Sequence, residues 1–134
     1  MTPRAACAAL FFLSFLAAAH AAPTTTGVAS WYGRSFARHR MADGARFDPS
    51  NAAIAANHTL PLGTRILVTN LGNGRSLVMR VCDRGPYARH HGKLERTRVL
   101  DVSRRAAELL GFKERGTARV RVLALPAVHR MPAS

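Results

Sequence analysis

One short run of residues, DRGPY at 83–87, combines a carboxylate, a cation and an enforced turn. A carboxylic acid can protonate the oxygen of a bond that is to be cleaved, provided that burial or a second carboxylate keeps it protonated. Arg84 acts in the opposite direction if its guanidinium pairs with Asp83. An Asp before Gly-Pro is also common in turns, where it caps backbone N–H groups. Asp83 is therefore a candidate catalytic acid, and a loop-capping role stays open.

The other chemical groups form weaker patterns. Trp31 and Tyr87 are able to stack on sugar rings, although aromatic side chains in a small domain more often fill the core. His39, His90 and His91 lack the spacing of a metal-ligand set, and no cysteine pair accompanies them. No phosphate-binding loop or dinucleotide fingerprint is present in the sequence. We predict neither a metal nor a cofactor.

The first residues have the three-part layout of a secretory signal peptide. Arg4 gives a basic start, residues 5–18 form an apolar run, and Ala-His-Ala at 19–21 matches the small-x-small cleavage pattern. The apolar run of about 14 residues is shorter than the ~20 that span a bilayer, so we expect cleavage after residue 21 and no stable membrane insertion. Cys7 lies at the start of this run, before its apolar core and not at the cleavage point, which argues against a lipoprotein. A periplasmic or secreted protein is expected.

The chain is strongly basic, with 20 Lys+Arg against 7 Asp+Glu and a net charge of +13. In a cytosolic protein such a charge would suggest nucleic acid. Export argues against that partner and favours wall carboxylates and envelope phosphates, or a charge that only keeps the protein soluble. The sequence indicates no oligomeric state.

The elements that must position these residues are short strands and one short helix. Strands are predicted at 28–32, 51–57, 65–70, 76–81, 99–102 and 118–125, with an Asn-Gly hairpin turn at 73–74. A helix is predicted over 104–110, between an N-cap at Ser103 and a stop at Gly111. Residues 22–26 are expected to be a polar leader, 27–125 the domain and 126–134 a tail. This mostly β pattern favours a small closed barrel.

Four blocks resemble the rare lipoprotein A (RlpA) family of peptidoglycan lytic transglycosylases. They are GVASWYG at 27–33, TLPLGT at 59–64 followed by VTN at 68–70, DRGPY at 83–87, and LDVS at 100–103 with the alanines and LG of 106–111. The resemblance implies a six-stranded double-psi β-barrel with one short helix, related in form to barwin and expansin domains. It further implies endolytic cleavage of the MurNAc–GlcNAc bond in denuded glycan strands, with an anhydro-MurNAc product and no water as nucleophile.

The family's catalytic set, a Glu, a His and an Asp, is only partly matched. Ala45 stands at the Glu position, Asn57 at the His position, and the Asp is retained as Asp83. Asp43, two residues before Ala45, is a possible substitute acid. His58 is a poor substitute base, because a one-residue step in an extended segment reverses the side chain, unless the backbone turns there.

The resemblance gives two functional hypotheses. In the first, the chain is a lytic transglycosylase in which Asp83 acts as the surviving acid or stabilises the transition state, and Tyr87, Arg84, Asn57 and Trp31 contact the glycan. In the second, the changes at Ala45 and Asn57 leave an expansin-like module that binds peptidoglycan without cleaving it. The LDVS aspartate, Asp101, is expected to have a structural role near the start of the helix.

Overall fold

A computed structural model describes residues 23–127 except 88 and 95. The predicted signal peptide, Cys7 and most of the predicted tail lie outside the described residues. The strands are β1 (Thr24–Trp31), β2 (Ile54–Ala56), β3 (Arg65–Asn70), β4 (Ser76–Asp83), β5 (Arg89–His90), β6 (Lys93–Leu94), β7 (Arg98–Val102) and β8 (Thr117–Ala124), and helix α1 is Arg104–Leu110.

Six of these strands close into a barrel in the order β1-β7-β2-β4-β3-β8. The pairs β1–β7 and β2–β4 are parallel, and the other neighbours are antiparallel. Strands β5 and β6 form a separate two-stranded hairpin, which the sequence did not predict. The prediction of a six-stranded barrel with one short helix is confirmed.

The barrel forms because its strands alternate apolar and polar residues, so that one side of each faces a shared core. In β3, Ile66 and Val68 are fully buried. Arg65 and Leu67, which alternate with them, lie on the outer face. A second, smaller cluster lies under the loop that follows β1. It contains Met41, Phe47, Ile54 and Cys82, with Tyr32 packed against it.

Helix α1 begins and ends as predicted. The Ser103 hydroxyl accepts from the Ala106 backbone N–H at 3.1 Å, and Gly111 adopts a left-handed conformation with φ 78°. The Asn70 side chain at the end of β3 donates to the Leu110 carbonyl at 2.8 Å. This bond fixes the helix end against the predicted β3–β4 hairpin. No helix among the described residues is both long and apolar enough to cross a membrane.

The largest differences from the predicted boundaries are in β1 and β2. Strand β1 begins at Thr24, so residues 24–26, predicted to be a leader, pair with β8 and belong to the barrel. The strand predicted at 51–57 is reduced to Ile54–Ala56. The Asn51 side chain accepts from the Ala53 backbone N–H at 2.9 Å and so holds the preceding residues in a turn.

Candidate active site

The strand register places two carboxylates in one row across the barrel. Ser30 of β1 pairs with Asp101 of β7, Asp101 pairs with Ala56 of β2, and Ala56 pairs with Asp83 of β4. Because paired residues point to the same face, this row runs along the outside of the barrel. The two aspartates are two strands apart, which corresponds to about 10 Å between their Cα atoms.

Asp83 is held by three donors. Its carboxylate accepts from the Ala42 backbone N–H at 2.9 Å, from its neighbour Arg84 N–H at 2.8 Å and from the Tyr32 hydroxyl at 3.1 Å. These bonds connect the end of β4 to the loop after β1. In all three bonds the Asp83 carboxyl oxygens act as acceptors. The loop-capping role that the sequence left open is therefore present in the structure.

Asp101 has a different environment on the same face. The Ser30 hydroxyl donates to its carboxyl group, and the Arg98 guanidinium donates in turn to the Ser30 hydroxyl at 3.4 Å. Burial raises the pKa of the Asp101 carboxyl and outweighs the opposing effects of Ser30, Arg98 and His58. The Asp101 carboxyl therefore holds a proton more tightly than an exposed aspartate does.

Tyr32 connects the site to the small core cluster. Its ring packs on Phe47 with 4.7 Å between centroids and on Phe36 at 5.5 Å. Burial, and next the negative charge of Asp83, raise the pKa of the Tyr32 hydroxyl. Tyr32 therefore stays protonated and serves as a fixed hydrogen-bond donor to Asp83.

A surface cavity of about 500 Å³ opens over the two carboxylates. It is lined by Tyr32, Phe36, His39, Arg40, Asp83, Arg84, Gly85, Pro86, Tyr87 and Asp101. Tyr87 is 64% exposed at its rim, with its ring against that of His58 at 5.3 Å. We call this cavity the aspartate cleft.

The Arg84 guanidinium does not pair with the Asp83 carboxylate, although the sequence raised that possibility. Its guanidinium donates to the carbonyls of Asn57 at 3.2 Å and Leu60 at 2.6 Å. Arg84 therefore holds the loop after β2 beside the cleft, and it leaves the Asp83 carboxylate to the three donors described above.

The segment around Asn57 requires one correction. Asn57 is only 7% exposed. Its side chain accepts from the N–H groups of Thr59 and Leu60 and donates to Val99, which leaves a structural role in place of the predicted glycan contact. These bonds turn the backbone at the next residue. His58 consequently lies against Tyr87 and acts electrostatically on Asp101, which is the exception that the sequence left open for a turn of the backbone at this point.

Two further predicted site residues lie apart from the residues that line the aspartate cleft. The Trp31 ring packs on the main core, and its indole N–H donates to the Lys113 carbonyl at 3.2 Å. Asp43 accepts from the Ala45 backbone N–H at 2.9 Å and lies beside the buried Cys82 thiol, whose pKa is raised by burial first and by Asp43 second. The structure therefore gives Asp43 a turn-forming role.

Asp101 lines the cleft, although the sequence predicted only a structural role for it near the helix start. It lies in β7, two residues before the Ser103 N-cap, and pairs with Ser30 and Ala56. The described residues contain no cluster of three or more His, Cys, Asp or Glu that could hold a metal ion.

A family model described as lytic transglycolase matches residues 24–122. The chain belongs to this lytic transglycolase family. The match spans the whole barrel, from the first residue of β1 into β8, and therefore includes both aspartates of the cleft.

Curated relatives in this lytic transglycolase family carry the RlpA name. An endolytic peptidoglycan transglycosylase RlpA from Neisseria meningitidis is 46% identical over 99 residues, which cover 74% of this chain and 38% of the relative. The protein of the same name from Pseudomonas aeruginosa is 44% identical over 103 residues, covering 77% of this chain and 28% of the relative. The chain thus matches well under half the length of these relatives.

Solved structures share the fold of this family member at low sequence identity. The Streptomyces papain inhibitor superposes with a TM-score of 0.59 and 22% identity, covering 80% of this chain and 98% of the inhibitor. An expansin from Clavibacter michiganensis superposes with a TM-score of 0.52 and 22% identity, covering 84% of this chain and 53% of the expansin. The predicted double-psi barrel of the barwin and expansin type is confirmed.

Proposed function

We propose that this protein cleaves the glycan strands of peptidoglycan as a lytic transglycosylase of the RlpA type. The observation that carries the proposal is the pairing, in one open cleft of a family member, of a carboxyl biased toward protonation with a carboxylate held by donors. Glycosidic cleavage needs both an acid for the leaving oxygen and a negative charge near the oxocarbenium-like sugar.

Asp101 is the proton donor in this mechanism. It protonates the glycosidic oxygen as the bond to the MurNAc C1 breaks. The C6 hydroxyl of the same MurNAc then closes on C1, and Asp83 accepts its proton. The products are an anhydro-MurNAc end and a strand with a free GlcNAc hydroxyl. This assignment moves the acid from Asp83 to Asp101, and it keeps Asp83 as the group that stabilises the transition state.

Tyr87 and Arg84 serve the substrate in different ways. Tyr87 is exposed at the rim and offers its ring to a sugar face. Arg84 acts through the loop that it anchors, and that loop positions His58 against Tyr87. Asn57 and Trp31 are engaged within the protein and are not part of the proposed contact surface.

The changes at Ala45 and Asn57 favour a second candidate function, binding of glycan strands without cleavage. Asn57 is buried, and the loop that carries Ala45 keeps its shape through the Met41–Ala45 backbone bond at 2.8 Å. The barrel is therefore intact without the family's Glu and His. One expansin of the same fold is described in complex with cellohexaose.

The decisive experiment is product analysis on denuded glycan strands. Wild type, Asp101→Asn and Asp83→Asn are incubated with the strands, and anhydro-MurNAc ends are measured by mass spectrometry. Asp48→Asn is the matched control, because Asp48 is bonded to Ser50 and does not line the aspartate cleft. We expect each cleft variant to lose at least 100-fold in rate and the control to lose none.

One result would contradict the transglycosylase proposal, and another would contradict the assignment of its acid. If wild type produces no anhydro ends under conditions in which an intact relative cleaves, the binding-only function replaces it. If Asp101→Asn cleaves at the wild-type rate while Asp83→Asn does not, the acid is Asp83.

We further propose that the chain works outside the cytoplasm, where its glycan substrate lies. Amino-terminal sequencing of the exported form tests this, with Ala22 expected at the first position.

A further inference from the structure

The outer face of strands β4, β3 and β8 has no part in the proposed chemistry and is strongly basic. On it, Arg80 lies directly opposite Arg65, and farther along β8 lie Arg119 and Arg121. Between the two pairs runs an apolar row formed by Val78, Leu67 and Leu123, which the register places side by side. We call this surface the arginine face.

Like charges directly opposite each other on neighbouring strands destabilise a sheet. Arg65 and Arg80 stand in this relation, and both line a groove of about 650 Å³ with no acidic residue in its lining. Among the described residues, none makes a hydrogen bond or an ion pair with the guanidinium groups of the four arginines of the face. The pair therefore raises the energy of the free protein unless an anion neutralises it.

Other arginines of the chain are engaged within the protein. Arg84 anchors the loop beside the cleft, Arg46 donates to the Arg38 carbonyl at 3.1 Å, and Arg105 pairs with Glu108 at 3.1 Å. No Asp or Glu of the sequence falls on β3 or β8. The arginine face is thus set apart by four cations on neighbouring strands, two of which, β3 and β8, carry no acidic residue.

The arrangement fits an extended polyanion better than a single small anion. The row of Arg65 and Arg80 continues to Leu125, just after β8. Leu125 is four residues after Arg121, which corresponds to about 13 Å along the strand. Val78 is 46% exposed between them. A polymer with anionic groups at intervals would contact both arginine pairs, and the C–H faces of its sugar rings would cover the apolar row.

We propose that the arginine face is a second binding surface, separate from the aspartate cleft, for the carboxylates of peptidoglycan strands. Guanidinium groups bind carboxylates through paired, charge-assisted hydrogen bonds, and adjacent arginines bring several such donors to one groove. The choice of this polymer rests on the proposed function. The surface holds a strand in place while the cleft, elsewhere on the barrel, acts on it.

The test measures binding to insoluble peptidoglycan by co-sedimentation of the full chain over a range of salt concentrations. The face is altered by Arg65→Gln with Arg80→Gln and, separately, by Arg119→Gln with Arg121→Gln. The control is Arg104→Gln with Arg105→Gln, which also removes two positive charges, but from helix α1. Thermal unfolding confirms that each variant is folded. We expect about a tenfold loss of affinity and a weaker salt dependence for each face variant, and less than twofold for the control.

A second arm uses peptidoglycan whose carboxyls have been converted to neutral amides. We expect wild type to bind it as weakly as the face variants bind the untreated polymer. Equal loss in the control and face variants would overturn the proposal, because it would show a general charge effect. Undiminished binding to amidated polymer, or face-dependent binding to anionic phospholipid vesicles alone, would also overturn it.

Cleavage of short soluble glycan fragments separates this proposal from the proposed function. The face variants should release anhydro ends from such fragments at the wild-type rate, because a short fragment occupies the aspartate cleft alone. If wild type cleaves nothing but its binding depends on the face, the transglycosylase proposal fails and the binding surface stands. If the face variants lose cleavage of short fragments, the face is not separate from the cleft and the present proposal is wrong.

Discussion

At the scale of single residues, the site depends on two aspartates that the barrel treats differently. Asp83 is surrounded by donors from Ala42, Arg84 and Tyr32. Asp101 has the Ser30 hydroxyl and is otherwise desolvated, which raises its pKa. Two carboxyls whose environments differ in this way are the usual basis for assigning one acid and one ionised partner.

The raised pKa of Asp101 predicts a pH-dependent effect of Asp101→Asn on stability. A carboxyl whose pKa is raised by folding binds its proton more tightly in the folded state, so the wild type loses stability as the pH rises above the unfolded pKa of about 4. Asparagine cannot ionise and avoids this loss. The free energy of unfolding of Asp101→Asn relative to wild type should therefore increase from pH 3 to pH 7, as measured by urea unfolding at each pH.

Asp48→Asn provides a control of opposite sign. Hydrogen bonds from Ser50 lower the pKa of Asp48, so its contribution to stability is present at neutral pH and is lost as the pH falls. The Asp48→Asn variant should lose stability relative to wild type at pH 7 and approach it at pH 3. Parallel pH trends for the two variants would mean that Asp101 is not desolvated as described.

At the scale of elements, the close approach of β1 and β7 fixes the line of paired residues across the barrel to which Asp101 belongs. A Cβ added at Gly27 would lie 2.8 Å from the Thr97 carbonyl oxygen, and the Val99 side chain is closer still. Gly27→Ala should therefore destabilise the protein by about 1–3 kcal/mol in urea unfolding, because the backbone oxygen cannot move aside cheaply. Cleavage or binding at the cleft should weaken as well.

Gly33→Ala is the matched control for this contact. Gly33 follows β1, and the nearest atom to its added Cβ is the Ser35 hydroxyl at 4.0 Å. We expect a change within 0.5 kcal/mol, as for most surface substitutions. Equal destabilisation by the two alanines would show that loss of glycine flexibility, and not the β1–β7 approach, is responsible.

Local sequence signals predicted the elements, whereas the site required long-range register. The hairpin and the helix were predictable because the Asn-Gly turn, the Ser103 cap and the Gly111 stop are all local. Asp101 was missed because its place beside Ser30 results from a parallel pairing of residues 71 positions apart. The orientation of His58 stayed conditional in the sequence, and the turn formed by the Asn57 side chain decides it by outweighing the alternation of an extended chain.

At the scale of the whole molecule, the net charge of +13 is unevenly distributed. The aspartate cleft collects two of the seven acidic residues, and the arginine face has four cations and no internal partner among the described residues. The sequence predicted an attraction to anionic envelope polymers from net charge alone. It could not predict this segregation, because the register of β3 with β4 and β8 decides which arginines become neighbours.

The opposition of Arg65 and Arg80 predicts that the free protein is stabilised when one of them is neutralised. Arg80→Gln should raise the free energy of unfolding by about 0.5 kcal/mol at low salt, since it removes a like-charge pair directly across two strands. The gain should shrink as salt increases, because the Debye length falls to about 10 Å at 0.1 M.

Arg115→Gln, beside Glu114 in the turn before β8, also removes one positive charge and should give no gain. An equal gain from both variants would mean that net charge alone is responsible. A gain confined to Arg80→Gln, together with weaker binding of peptidoglycan, would mean that the protein retains a destabilising pair of cations because the pair binds the wall.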